Sequence, residues 1–376
     1  MPNQSTHNCV SCKHLTPLNC SLRNEEIDIP HFTTCCNWNV ETNTPLGVKY
    51  ALSREVINKV VSYINLPYLN GWRADTFRNG NNDSHVVLIN NDLPQITFKN
   101  TNTYLDFYKN EQKKRKNYVL GAVIGDMIGS VFEFHNYKST DFHLFGEKTT
   151  FSDDSVLTMA TMDVILNNTL YENSYQAFGR RYTNRGYGGN FLYWIYMDEP
   201  EPYQSLGNGS AMRVSPIGWA YNTIDEVLKQ AKRSAEVSHN HPEGIKGAQA
   251  TASAIFLART GKTKTEIKDF VEVMFDYDLD RTIDEMRPGY SFDVTCPGSV
   301  PEAIIAFLES TDYESTIRLA ISLGGDSDTI ACIAGSIAEA YYDEIPEYII
   351  DKALSLLPKE FIGLIAAFSS KYRPEK

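Results

Sequence analysis

Residues 328–343, DTIACIAGSIAEAYYD, carry a helical pattern rich in Ala, Ile and Gly. The same texture recurs in SVLTMATMDVILNN (155–168), GIKGAQATASAIFLAR (244–259) and VPEAIIAFLES (300–310). From residue 117 onward convincing strands are absent. A stretch of that length dominated by helical patterns predicts one large all-α domain over residues 116–376. Upstream, the run Lys113-Lys114-Arg115-Lys116 marks a boundary. It reads as a solvated linker or helix start, with a phosphate-binding patch as the alternative. Residues 46–115 hold the helical pattern SREVINKVVSYI (53–64), followed by HVVLINNDLPQITF (85–98), a hairpin or two short strands. These predict a small α/β module and linker. Residues 1–45 are polar and contain Cys9, Cys12, Cys20, Cys35 and Cys36. The expected fold is therefore mainly α, with a small cysteine-rich α/β extension at the N-terminus.

Charge and hydropathy narrow the function classes. The 376 residues include 35 basic and 47 acidic side chains, a net charge of −12, which repels a polyphosphate backbone and argues against nucleic acid as partner. No apolar stretch approaches the roughly 20 residues of a membrane span. The first residues, MPNQSTHNCV, lack the charged-then-apolar pattern of a secretory signal, so the expected location is cytoplasmic, without membrane. In a reducing compartment the cysteine cluster suggests thiol or metal chemistry rather than disulfides. A structural Zn²⁺ site, with His14 or His31 replacing one thiol, and free reduced thiols both fit the spacing; a catalytic thiol is the third reading.

Three acidic clusters sit beside small residues. In GAVIGDMIGSVFE (121–133), glycines at 121, 125 and 129 line one helix face and let another backbone approach closely. Asp126 and Glu133, seven apart, are expected on one common face of that helix. In Phe151-Ser152-Asp153-Asp154-Ser155, an N-cap accounts for one acid but not for two acids and a hydroxyl. In Gly324-Gly325-Asp326-Ser327-Asp328-Thr329, two glycines permit a turn that aims two carboxylates and a hydroxyl at one point. Gathered together, such groups resemble the all-oxygen ligand set of hard divalent cations, and without cations they would repel one another. Two ions about 3.5–4 Å apart would neutralise the charge and hold water or sugar hydroxyls. Two further segments fit the same site. Ser205–Arg213 is a glycine-rich loop suited to phosphates, with a plain surface loop as the alternative. Ser238–Gly244 places His239 and His241 ahead of a helix. The tract Tyr187–Trp194 could stack a base or pack in the core.

In this order, GDMIGSVFE (125–133), FSDDSVLTMA (151–160), GNGSAMRVSPIG (207–218), SHNHPEGIKGAQA (238–250) and SLGGDSDTIACIAGSIAEAYY (322–342) resemble the ADP-ribosylglycohydrolase family over roughly residues 117–370. The resemblance implies an orthogonal all-α fold with a binuclear Mg²⁺ or Mn²⁺ centre. It also implies hydrolysis of the bond between ADP-ribose and a protein side chain, with arginine the default acceptor. By position, Ser152, Asp153, Asp154, Asp326, Asp328 and Thr329 would ligate metal. Asn208, Gly209, Ser210 and Met212 would contact diphosphate and ribose, and His239 the phosphate side. Glu133 aligns with an acidic residue at the site; it and Asp154 are the two candidates for taking a proton from water. Ser152 stands where threonine is usual, and its hydroxyl can still coordinate. Some members of the family are immunity proteins against ADP-ribosylating toxins, so the extension could block such a toxin while the core acts on ADP-ribosylated protein. The rival reading is a non-catalytic ADP-ribose-binding or toxin-occluding protein; the intact acid set argues against it. A structural role of the kind some relatives serve in lens has no support in the sequence.

Overall fold

The computed structural model describes residues 117–373 and five strands of the upstream chain. The chain divides into two compact units, Met1–Lys114 and Arg115–Lys376. In the first unit, β1 (Asn19–Cys20) pairs antiparallel with β2 (Glu25–Glu26). A separate antiparallel sheet takes the order β3 (Trp72–Arg78), β4 (Ser84–Asn90), β5 (Leu93–Phe98). The β4–β5 pair is the hairpin read from residues 85–98, while β3 had no comparable alternation to announce it. The 53–64 helical pattern, the run at 113–116 and, apart from Cys20 in β1, the cysteines of the proposed zinc cluster lie outside the described residues.

The second unit is helical, and its described residues form no strand. Its elements are α1 (Gly121–Gly129), α2 (Asp153–Asn167), α3 (Tyr171–Arg181), α4 (Gly189–Trp194), α5 (Ser215–Ala220), α6 (Ile224–Glu236) and α7 (Pro242–Arg259). They continue as α8 (Lys264–Phe275), α9 (Ile283–Met286), α10 (Cys296–Glu309), α11 (Tyr313–Ser322), α12 (Ser327–Tyr342), α13 (Glu347–Leu356) and α14 (Lys359–Tyr372). Local chemistry sets many boundaries. Ser152 caps α2 by accepting the Asp154 N–H at 3.2 Å, and Asn168 ends it in the left-handed region. α10 starts at Cys296, ahead of the apolar run at 300, because Thr295 accepts the Gly298 N–H and Pro297 suits a first turn.

α12 is the central element: every residue from Ser327 to Ala340 is buried. Its closest partner is α1, and the three glycines explain the approach. A methyl group on Gly121 would overlap the Gly335 carbonyl, one on Gly125 the Ala331 carbonyl, and one on Gly129 the Asp328 backbone. Glu339 closes the far end by accepting from Leu120 N–H at 2.9 Å and Gly121 N–H at 2.8 Å. A carboxylate there complements the helix N-terminus, and Arg373 pairs with it at 2.8 Å. This register holds Asp126 opposite Asp328. Glu133 departs from expectation: α1 ends at Gly129, so Glu133 lies in the following turn and shares no helix face with Asp126.

The glycine seam makes a testable claim about stability. Alanine's helix propensity would favour Gly125→Ala by roughly 1 kcal/mol. The opposing atoms are backbone and cannot swing aside, so overpacking should win, for a net loss of about 2 kcal/mol. Chemical denaturation of the two proteins checks this; an unchanged or raised midpoint would contradict the packing account.

Candidate active site

Two helix N-termini bring the acids together. Asp153 and Asp154 occupy the first turn of α2, while Asp326 is the N-cap of α12 and Asp328 lies in its first turn. Gly324 and Gly325 take φ of +71° and +69°, the left-handed conformation that turns the chain into α12. One carboxylate oxygen from each of Asp126, Asp154 and Asp328 lies within 4.8 Å of the other two, and the same holds for Glu133, Asp326 and Asp328. Asp328 is common to both triads. Thr329 donates its hydroxyl to Asp154 Oδ2 at 3.4 Å.

Asp126 and Asp154 differ in what satisfies them. Asp126 accepts from the Ser152 N–H at 3.0 Å and hydroxyl at 2.6 Å, and from both the N–H and hydroxyl of Ser155. It is saturated and organises the start of α2. Asp154 is also buried, yet its Oδ1 has no hydrogen-bond partner. An orphaned, buried carboxylate oxygen beside two further acids fits a divalent cation, because its desolvation is otherwise uncompensated. The donor set is all oxygen, which suits Mg²⁺ or Mn²⁺ better than zinc. Asp154 and Asp328 would hold one such ion and Glu133, Asp326 and Asp328 a second, with Thr329 beside them.

Above these acids opens a cleft of about 450 Å³. Glu133, Asp153, Asp154, Asp326, Asp328 and Thr329 line it from below. Asn208, Gly209, Met212 and His239 line one wall. Asn208 donates from Nδ2 to Asp326 Oδ2 at 2.6 Å and to Ser299 at 3.0 Å, so it orients an acid as well as facing the cleft. Two expected contacts do not face the cavity. Ser152 turns its hydroxyl to Asp126, and Ser210 donates its own to the Gly244 carbonyl at 2.7 Å beneath the loop. Arg213 is fully buried behind the wall. Of the aromatic tract, Tyr187, Phe191 and Trp194 stack in the core, and Phe191 also reaches the cleft.

Some lining residues had no sequence signal. Phe292 and Val294 reach the site because Gly207 and Thr295 form a β-bridge and Asn208 N–H donates to the Val294 carbonyl at 2.8 Å, and Tyr203 because its N–H donates to the Ser238 carbonyl at 3.2 Å. That is a long-range pairing without local periodicity. Phe134 and Phe292 stack at the mouth with ring centroids 6.2 Å apart; Phe134 is 80% exposed.

Burial raises every carboxyl pKa in the cluster, and the charge of neighbouring acids adds to it at Glu133, Asp153, Asp154 and Asp328. Burial pushes Asp153, Asp154 and Asp328 well above the ordinary range, and neighbouring acids add to it. Asp326 and Asp126 are raised mainly by burial, and for Asp126 the hydrogen bonds from Ser152 and Ser155 oppose the shift. Glu133, half-buried, is raised to about 7 by burial, then by Asp326 and Asp126. Folded-state values above the unfolded ones mean that the metal-free native state binds more protons. The cluster's contribution to stability is therefore greatest below the unfolded carboxyl range of about 4 and falls as pH rises through the folded values. Chelated protein should lose thermal stability between about pH 5 and about pH 8. Saturating Mg²⁺ at the higher pH should restore it, by about 2.7 kcal/mol at a hundredfold excess over Kd. A melting series with and without chelator reads both; a metal-free midpoint that is flat or rising over this interval would contradict the cluster's electrostatics.

Comparison with known proteins follows the same residues. The sequence model of the family described as ADP-ribosylglycohydrolase matches residues 109–371. The chain is 29% identical over 307 residues to "ADP-ribosylhydrolase ARH3" of Xenopus tropicalis, covering 60% of this chain and 86% of that protein. It is 29% identical over 310 residues to the Homo sapiens protein of the same name, covering 60% and 85%. A solved structure titled "ADP-ribosylglycohydrolase-related protein complex" superposes with a TM-score of 0.55 at 24% identity, over 70% of this chain and 99% of that one. That likeness shows the shared fold.

Proposed function

The chain belongs to the ADP-ribosylglycohydrolase family and is a glycosyl hydrolase, and from that premise we propose that it cleaves ADP-ribose from arginine side chains of modified proteins. The observation that carries the reading is two acid triads that share Asp328, Asp126–Asp154–Asp328 and Glu133–Asp326–Asp328, with an unpartnered Asp154 Oδ1 under an open cleft. Divalent cations bound there would supply Lewis acidity and a template for sugar hydroxyls. Glu133, half-buried at the edge of the cleft, is assigned the role of taking a proton from water. Asp154 is buried among the acids and serves as a ligand instead. Departure of the acceptor builds oxocarbenium-like charge on the ribose. Asn208, Gly209, Met212 and His239 form the wall available to diphosphate and ribose.

Arginine as acceptor is supported by the mouth. An exposed aromatic pair next to the Glu133 carboxylate suits a guanidinium, through cation–π contact and charge. Incubating the protein with ADP-ribosylated arginine and serine substrates, with Mg²⁺ or chelator, tests the reading. Metal-dependent release from arginine is expected; release from serine alone would overturn the acceptor assignment. No release from either would overturn the activity. Protection against an ADP-ribosylating toxin, with residues 1–110 contacting it, is supported only by the presence of that extension. Loss of protection on its removal is the expected outcome, and full protection without it would sink the immunity reading.

A further inference from the structure

Behind the phosphate-side wall, His239 is backed by two polar residues, Ser238 and Arg213, that the hydrolytic reading leaves unused. Arg213 is completely buried and has no carboxylate partner among the described residues. Its guanidinium lies over the Tyr175 ring, 4.2 Å from the centroid, and Nη2 donates to the Ser234 carbonyl at 2.6 Å and to Ser238 Oγ at 3.0 Å. Ser238, also fully buried, is 2.8 Å from His239 Nδ1. On the other side of the ring, Nε2 faces the glycine-rich loop. A methyl group on Gly209 would lie 3.1 Å from it, and one on Gly207 3.5 Å.

Hydrogen-bond accounting settles where the protons go. A guanidinium only donates, so Arg213 occupies a lone pair of Ser238 Oγ. The Ser238 O–H then has one acceptor among the described residues, His239 Nδ1. If Nδ1 carried the proton instead, the serine hydroxyl would be left unmade in the interior, at a cost of about 1–3 kcal/mol. An imidazole that accepts at Nδ1 is neutral and carries its proton on Nε2. We propose that Ser238, held by Arg213, is a positioning residue that fixes His239 as the Nε2-protonated tautomer and so presents an N–H donor through the glycine loop to the diphosphate of an ADP-ribosyl group. Burial, and then the Arg213 charge, hold His239 well below the ordinary histidine range, so the ring stays neutral near physiological pH. The identity of the anion rests on the proposed function; the tautomer does not.

Nitrogen-15 NMR of the full chain labelled at histidine tests the tautomer, with the His239 signals assigned by their loss in His239→Gln. The wild-type protein should show a protonated Nε2 and an unprotonated Nδ1 at neutral pH. Ser238→Ala should redistribute the proton between the two nitrogens, and Ser238→Thr, which keeps the hydroxyl, should restore the wild-type pattern. A wild-type ring protonated on Nδ1 or on both nitrogens, or an unchanged pattern in Ser238→Ala, would overturn the proposal. In parallel, ADP-ribose affinity in Mg²⁺ should fall roughly tenfold in Ser238→Ala and recover in Ser238→Thr. Equal affinity in all three proteins would overturn the positioning role. A wild-type protein with the assigned tautomer and no affinity for ADP-ribose would uphold the relay and refute the ADP-ribose reading.

Discussion

Asp328→Ala is expected to lose about a thousandfold or more in turnover, because the several kcal/mol that bound metal supplies converts at about 1.4 kcal/mol per tenfold. Asp328 is the one carboxylate shared by both acid triads, so its removal weakens both. Misfolding would give the same loss, and stability separates the two causes. In the metal-free protein Asp328 is a buried group pushed well above its ordinary pKa, first by burial and then by Asp326 and Asp154. Taking it away relieves repulsion at neutral pH. The chelated variant should therefore melt at or above the chelated wild type, while Mg²⁺ no longer raises its midpoint. Near-normal turnover, or a midpoint still raised by Mg²⁺ as in the wild type, would refute the shared-ligand assignment.

Glu133→Gln is expected to lower kcat by about a hundredfold or more, the usual range for a positioned acid or base. The substitution keeps size and removes the titrating carboxylate. Because Glu133 also belongs to one triad, the measurement is made at saturating Mg²⁺, where a weakened ligand is compensated and a missing base is not. The buried Asp126–Asp154–Asp328 triad remains intact in this variant, so calorimetric Mg²⁺ binding should persist. A kcat within a fewfold of wild type would transfer the proton-accepting role elsewhere, with Asp154 the remaining candidate.

How much of this was legible before the structure depends on how local each feature is. Helices α2, α7, α10 and α12 announce themselves because apolar residues recur at helical spacing and Ser152, His241 and Thr295 cap three of them. Asp153, Asp154, Asp326 and Asp328 could be picked out because paired acids after a hydroxyl or two glycines exceed what a cap needs. The glycine repeat at 121, 125 and 129 signalled a close helix contact, and the partner is α12. Glu133 was misplaced onto the helix because periodicity carries no information about where Gly129 ends it. Phe292 and Val294 join the site through the pairing of Gly207 with Thr295, and Ser238 matters only through Arg213 and His239. Those are tertiary facts, set by packing between distant segments. Arg213 shows the same limit from the other side: a basic residue beside a glycine-rich loop suggests phosphate contact, and the fold buries it over Tyr175 instead.

The most direct test is a crystal grown in Mn²⁺, with anomalous difference maps at the manganese edge. The account predicts density between Asp154 Oδ1 and Asp328, and a second peak where Glu133, Asp326 and Asp328 meet. Maps without a peak in that space, from protein saturated with Mn²⁺ and hydrolytically active, would contradict it.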